Sequence, residues 1–306
     1  MTVIMLPNDM QFIERGWLSS NSLLLTGPDD AVLVDSGYHT HAEQTTALVR
    51  HALHGRSLTS LFNTHLHSDH CGGNAAIQSN WPTVRTFIPP GCTEAVRQWD
   101  EIKLTYKPTG QSCPRFVFDD VLTPGTQVSA GGRSWEIHAA PGHDPDSILL
   151  FQPDTGVLLS ADALWEHGFG VVFPEIYEEP GFDDVAKTLD LIEQLKPRFV
   201  VPGHGRVFTD VSGALSRARE RLNMFTDTPI KHASHAAKVL IKFHLMAIQT
   251  SPFESLLDWT QDSSYLTTLH RVHFQQQPIR DWASGLVDGL IRSGVLARQE
   301  GWIVNV

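Results

Sequence analysis

Apolar and polar positions along the chain alternate in short runs through the first two thirds and shift to helical spacing in the last third. Phe12 to Trp17, Ser22 to Leu25 and Ala31 to Val34 read as strands, the last two separated by a Gly27-Pro28-Asp29-Asp30 turn. His41 to His54 reads as a helix with Ala47, Leu48 and Ala52 facing inward. Leu58 to Phe62 is the next strand, followed by a short helix from Asn74 to Ser79 and a strand from Val84 to Ile88. Thr93 is the expected N-cap of a helix running to Leu104, and Tyr106 to Pro114 reads as irregular. Strands are expected at Phe116–Phe118, Gln127–Ser129, Trp135–Ala139, Ser147–Phe151, Gly156–Ser160 and Phe199–Val201, with a helix from Asp183 to Leu195. From Val211 on, helices are expected at 213–225, 233–248, 252–259, 264–274 and 279–293. A hairpin follows, Val295–Gln299 with Trp302–Val306.

One arrangement recurs at the ends of these strands. A short apolar run stops and a His or Asp follows, beside a glycine or another potential ligand. The densest case is Asn63-Thr64-His65-Leu66-His67-Ser68-Asp69-His70-Cys71-Gly72-Gly73-Asn74. In an extended segment His65 and His67 share a face, and a turn then swings Asp69 and His70 toward a second point. The pattern can therefore split into two ligand pairs for two adjacent metals. His143, Asp162 and His204 repeat the arrangement at later strand ends. Imidazole nitrogen and carboxylate oxygen suit zinc, iron and manganese alike. Cys71, beside His70, reads as a small buried residue.

Composition narrows the function classes. The 306 residues suit one large domain or one domain with a smaller partner, and 41% apolar with 19% charged residues argues for a packed core. A net charge of −11 argues against a nucleic-acid partner. Residues 230–306 carry seven Lys and Arg against six Asp and Glu, and the candidate recognition helix Ser264 to Phe274 holds a single Arg. The three cysteines form no closely spaced pair and read as reduced thiols. The stretch from Met1 to Met10 shows no secretory signal and no apolar run is long enough to span a membrane, so the expectation is a cytoplasmic protein.

The Thr-His-x-His-x-Asp-His-x-Gly-Gly-Asn run, with His143, Asp162 and His204 behind it, resembles the metallo-β-lactamase superfamily, in the form of its glyoxalase II-like and thioesterase-like branch. The resemblance covers about residues 1–210 and implies an α/β (α+β) fold, a four-layer αββα sandwich with metals at one edge of the paired sheets. It assigns His65, His67 and His143 to one ion, Asp69, His70 and His204 to a second, and Asp162 to both. The tail, 211–306, resembles the mostly helical, winged-helix-like extension of some members.

These readings imply a dinuclear metal-dependent hydrolase that uses a metal-bridging hydroxide on a small ester, thioester or lactone, with Asp69 as the catalytic residue. The expected cofactors are two divalent ions, zinc first, with iron or manganese accepted by the same donors. The alternatives are an RNA- or phosphodiester-cleaving nuclease of the same superfamily and a low-turnover binding or signalling protein on the same fold. The expected partner is a small-molecule substrate, with no nucleic acid and no membrane; a homodimer through the C-terminal helices stays open. Trp165, His167, Phe169, Phe173 and Tyr177 are candidate cleft walls, as are Trp99, Tyr106, Lys107 and Arg115. The remaining histidines, those after His232 included, read as structural or solvated.

Overall fold

The computed structural model describes residues 5–306; Met1 to Ile4, part of the stretch read for a signal, lie outside the described residues. Six strands form the first sheet in sequence order: β1 (Met10–Ile13), β2 (Ser22–Thr26), β3 (Ala31–Val34), β4 (Ser60–Phe62), β5 (Arg85–Ile88) and β6 (Asp120–Val121). The first three run antiparallel, and β3 to β6 are parallel. The second sheet has the order β11-β10-β9-β8-β7, built from β7 (Gln127–Ala130), β8 (Arg133–Ala139), β9 (Ile148–Gln152), β10 (Val157–Ala161) and β11 (Phe199–Pro202).

Side chains alternate across each strand, so a strand buried on both faces is apolar at every position. In β2 and β3, Leu23, Leu25, Val32 and Val34 point to the second sheet, where they meet Trp135, Ile137, Ile148, Leu150 and Leu159. Leu24 and Leu33 point the other way, onto Val49, Ala52 and Leu53 of the helix Ala42–Leu53 and onto Ile77. On the far side, Leu149, Phe151, Leu158 and Val200 pack under the helices Phe182–Leu195 and Val211–Asp227. The result is the expected helix–sheet–sheet–helix stack in the α/β class.

A separate core lies in the C-terminal region. Ala236, Leu240 and Ile241 of the helix Pro229–Ile248 pack with Leu256, Leu266, Leu286, Val287 and Ile303. The helices Phe253–Asp262, Ser264–Leu269 and Ile279–Arg292 accompany a small antiparallel sheet, ordered β12 (Thr250–Pro252), β14 (Trp302–Asn305), β13 (Leu296–Gln299). Among the described residues no helix is long and apolar enough to cross a membrane.

Local departures from the sequence expectations have physical causes. The inward stripe of the first long helix is Thr45, Thr46, Val49, Ala52 and Leu53, with Ala47 and Leu48 exposed. Leu48 lies about 100° and Ala47 about 160° around the helix from Val49, so neither shares the face that the sheet selects. The first strand ends at Ile13, which leaves Trp17 in a turn. The helix begun at Thr93 stops at Gln98, where Trp99 takes a left-handed φ of 57°, and the cap position is Cys92, without a side-chain bond. Tyr106–Thr109 forms one helical turn, and Phe116 joins a core cluster instead of a strand. Ser264–Leu269 passes into a π turn at His270–Phe274. In the order of elements, Ile279–Arg292, not Ser264–Phe274, directly precedes the terminal hairpin.

Candidate metal centre

The donor residues sit where strands end, at one edge of the two sheets, the position in which α/β sheets open a crevice. After β4 the chain bends at Thr64, is extended at His67, then makes one helical turn, Ser68–Cys71, which carries Asp69 and His70 to a second point. Polar bonds pin this loop. Asp35, at the end of β3 with a left-handed φ of 57°, accepts from the Thr64 amide at 2.9 Å, the Thr64 hydroxyl at 2.7 Å and His70 Nδ1 at 2.8 Å. Asn74 donates to Asn63 Oδ1 at 2.7 Å and accepts from the Ser36 hydroxyl at 2.7 Å. His143 lies between β8 and β9, and its Nδ1 donates to the Val171 carbonyl at 2.6 Å. Asp162 follows β10 across a register shift, with Ala161 at a φ of 45°, and His204 follows β11.

The structure brings all seven sequence-predicted donors together in two adjoining groups, His65 with His67 and His143, and Asp69 with His70, Asp162 and His204. His67 Nδ1 faces His143 Nε2 at 2.8 Å, and His204 Nε2 lies 3.1 Å from Asp69 Oδ2. Asp162 reaches both groups: Oδ1 is 3.4 Å from His70 Nε2, and Oδ2 is 3.5 Å from His143 Nε2 and 3.8 Å from His204 Nε2. The Asp35 and Val171 bonds hold the Nδ1 protons of His70 and His143, which turns both Nε2 lone pairs inward.

Two observations test whether these residues fit metal ions. The Nε2 atoms of His65, His67 and His70 are buried without a hydrogen-bond partner, an arrangement that costs stability unless something else satisfies them. The field is also right for cations. Burial presses the His67 and His143 pKa values down to about 4. Burial acts on His70 too, but Asp162, Asp35 and Asp69 outweigh it and hold its value well above the ordinary one. Burial raises Asp162, yet His204, His70 and His143 outweigh that and hold it well below the usual carboxylate range. His67 and His143 are then neutral and Asp162 ionised, the forms that bind metal, while the acids that raise His70 mark a point that favours a cation, so the donor set fits two N/O-liganded divalent ions.

The centre opens into a cleft of about 400 Å³. Trp165, His167 and Phe173 line it as expected; Phe169 is buried in the core beneath the second sheet, and Tyr177 borders a neighbouring cavity. Trp99 and Tyr106 belong to a core cluster with Cys71, which is fully buried. Lys107 pairs with Glu101 at 3.1 Å and Arg115 bonds the Arg97 carbonyl at 3.0 Å, both on the outer surface. His232 accepts from the Val172 amide at 3.2 Å, a structural role. His235, read as structural or solvated, lines the cleft.

Sequence reading missed four contributors. Asp35 carries the same strand-end signal as the ligands and was legible on that ground. Asp144 lies 3.5 Å from His67 Nε2. Trp17, 57% exposed, stacks on the His204 ring at 5.3 Å and 5°, and Phe243 lines the cleft from the C-terminal region; nothing local in the sequence marks either.

Comparison with known proteins agrees with this architecture. The family model described as "Metallo-beta-lactamase superfamily" matches residues 15–204. A hydroxyacylglutathione hydrolase of Thermosynechococcus vestitus is 30% identical over 155 residues, 51% of this chain and 51% of its own, so the chain spans about half the length of that relative. The beta-lactamase-like protein 2 homolog of Drosophila melanogaster is 25% identical over 238 residues, 73% of this chain and 74% of its own. The crystal structure of a metallo-beta-lactamase family protein from Thermus thermophilus superposes with a TM-score of 0.58 at 18% identity, covering 97% of this chain and 98% of that one. A matched segment running through His204, on a sandwich whose strand ends gather these donors, places the chain in the metallo-β-lactamase superfamily.

Proposed function

We propose that this chain is a dinuclear metal-dependent hydrolase of a small ester, thioester or lactone. The observation that carries this reading is the reach of Asp162 to both donor groups at the floor of a cleft large enough for a small substrate. His65, His67 and His143 would hold one ion, Asp69, His70 and His204 the other, and Asp162 would contact both. Two divalent ions there, zinc first and iron or manganese by the same donors, would supply hydroxide at neutral pH and polarise a carbonyl oxygen. Asp69, against His204 in the cleft, would take up a proton. Trp17 and Trp165 flank His204, and Phe173 lies on His67 and His143, so apolar surface shields the reacting bond from water.

We read the C-terminal region as a winged-helix-like unit that walls the cleft. Because Ala214, Leu215, Ala218 and Leu222 of the helix Val211–Asp227 pack under the second sheet, the catalytic unit is better divided after this helix than at residue 210. Two facts weigh against a nuclease. Arg280 in the helix preceding the hairpin is engaged with Asp258 and Glu254, and Arg298 with Asp288. Tyr265 of the neighbouring helix packs on Phe173 at 5.4 Å, which turns that helix inward.

The test is metal analysis of the purified protein, with aryl ester, thioester, lactone, nitrocefin and bis-phosphodiester substrates. About two ions per chain with carbonyl-ester or thioester turnover is the expected result. Turnover of the phosphodiester alone would move the reading to the nuclease, and a metallated protein inert to all of them would leave a binding role.

A further inference from the structure

The helix Pro229–Ile248 supplies one wall of the cleft. His235, Val239, Phe243 and Met246 recur on it at three- and four-residue steps, so they share a face, and all four line the cleft together with His67, His143 and His204. At 1.5 Å per residue that face runs about 16 Å. Its far end is apolar, with Phe243 and Met246 against Leu18 and Tyr38. At its near end His235 stacks on Phe225 and sits beside Arg221.

Arg221 differs from the other arginines around it. Arg217 pairs with Asp210, Arg219 with Asp190 and Glu193, and Arg206, also at the cleft, with Glu14. Arg221 lines the cleft half-buried, its guanidinium laid against Gly168, where a Cβ would collide with it. Among the described residues no carboxylate lies within 4 Å of it, and burial lowers its pKa with no acid to offset the effect. Glu166, also at the cleft, leans toward His167 at 3.9 Å. Burial, with Arg221 and Lys238 adding to it, pushes His235 down to about 4, so it is neutral at pH 7 and offers no second charge. A half-desolvated guanidinium without a counter-ion is costly, and a chain with 34 Asp and Glu had many ways to pair it. The missing anion is then one that arrives with the ligand.

We infer that Arg221 is a specificity residue, and that the cleft selects acyl substrates whose apolar chain ends in a carboxylate, the chain lying along Val239, Leu240 and Phe243 and the carboxylate pairing with Arg221. The inference rests on the hydrolase reading for the ester or thioester bond but not for the binding preference. The full metal-loaded chain is assayed with 4-nitrophenyl esters of hexanoic acid and of adipic acid, the latter with its second carboxylate free. Binding of the matching anilides is followed by Trp17 and Trp165 fluorescence.

Wild type should prefer the adipoyl probe in both kcat/KM and Kd. A charge-assisted hydrogen bond is worth on the order of tenfold. Arg221→Gln should therefore lower the adipoyl-to-hexanoyl ratio at least about fivefold, and Arg221→Lys, which keeps the charge, should lower it less. A smaller change in that ratio, or no preference in wild type, overturns the inference. A merely structural role weakens both probes alike, leaves the ratio in place and has the same consequence. Binding preference without turnover of either ester supports the inference and counts against the hydrolase reading.

Discussion

Replacing Asp35 with Ala isolates how much of the centre depends on a residue that contacts no ion. Its carboxylate holds three buried donors, the Thr64 amide, the Thr64 hydroxyl and His70 Nδ1, all within 2.9 Å. Each donor left buried and unsatisfied costs about 1–3 kcal/mol. Alanine also meets the left-handed φ of 57° less readily than aspartate. Because the three orphans share one cavity and relax together, the sum falls short of additive, and about 3–5 kcal/mol is expected. At roughly 2 °C per kcal/mol for a chain this long, the melting temperature of the metal-free protein drops about 6–10 °C. The metal effect is separate. Without the Asp35 bond the His70 ring loses its fixed tautomer, so affinity for the second ion should fall about 10- to 100-fold. Asp35→Asn, which tolerates the same backbone and keeps one acceptor, should recover much of the stability but little of the affinity. Thermal unfolding of the metal-free protein and competition with a chromophoric chelator measure the two effects. If Asp35→Ala binds both ions as tightly as wild type, the argument that this bond aims His70 is wrong.

Further expectations follow from the same geometry. Asp162→Ala should lower metal content and turnover together, since its oxygens lie within 3.8 Å of His70, His143 and His204; a fully metallated, active variant would remove the contact to both ions. A Cβ at Gly203 would meet Asp162 Oδ1 and come within 2.9 Å of His70 Cε1, and one at Gly170 would strike the His143 ring. Gly203→Ala and Gly170→Ala should therefore each lose metal while circular dichroism stays native, and full metal content in either would contradict the packing. The metal-free protein should lose stability as pH falls. His67 and His143 have folded values of about 4, below the free value of 6.5. Their contribution is complete above pH 6.5 and is lost between 6.5 and about 4. His70, raised instead, contributes fully below 6.5 and loses its share as pH rises through its folded value. Urea titrations at about pH 7 and about pH 5 that give equal stability would refute this. Trp17→Ala should reduce kcat/KM several-fold while changing stability by less than about 1 kcal/mol, because the side chain is 57% exposed; steady-state kinetics beside a thermal melt separates the two.

The donors were readable because each is announced by local chemistry: an apolar strand stops and a His or Asp follows. Asp35 carries the same mark, and only the folded structure shows that it holds Thr64 and His70 in place of an ion. The strands were readable to within a few residues wherever both faces are buried, since every position is then apolar. Reading failed where partners are remote. Ala47 and Leu48 look as apolar as Val49, and only the sheet beneath the helix decides that Val49 and Leu53 face it. Phe169 and Trp165 stand four residues apart in one aromatic loop, yet one enters the core and the other the cleft.

By itself, then, the chain's order of residues marked the strands, through short apolar runs, and seven candidate donors, through their placement at strand ends, while the layered fold followed from the resemblance those residues carry. Tertiary structure alone decided the shape and chemistry of the cleft. Its walls come from Trp17 near the start, Arg221 in the helix after the second sheet and Phe243 in the C-terminal region, residues that line one cleft only once the C-terminal helices fold back over the sheet edge. No local pattern encodes that contact, because its energy comes from burying surfaces separated by some two hundred residues of chain.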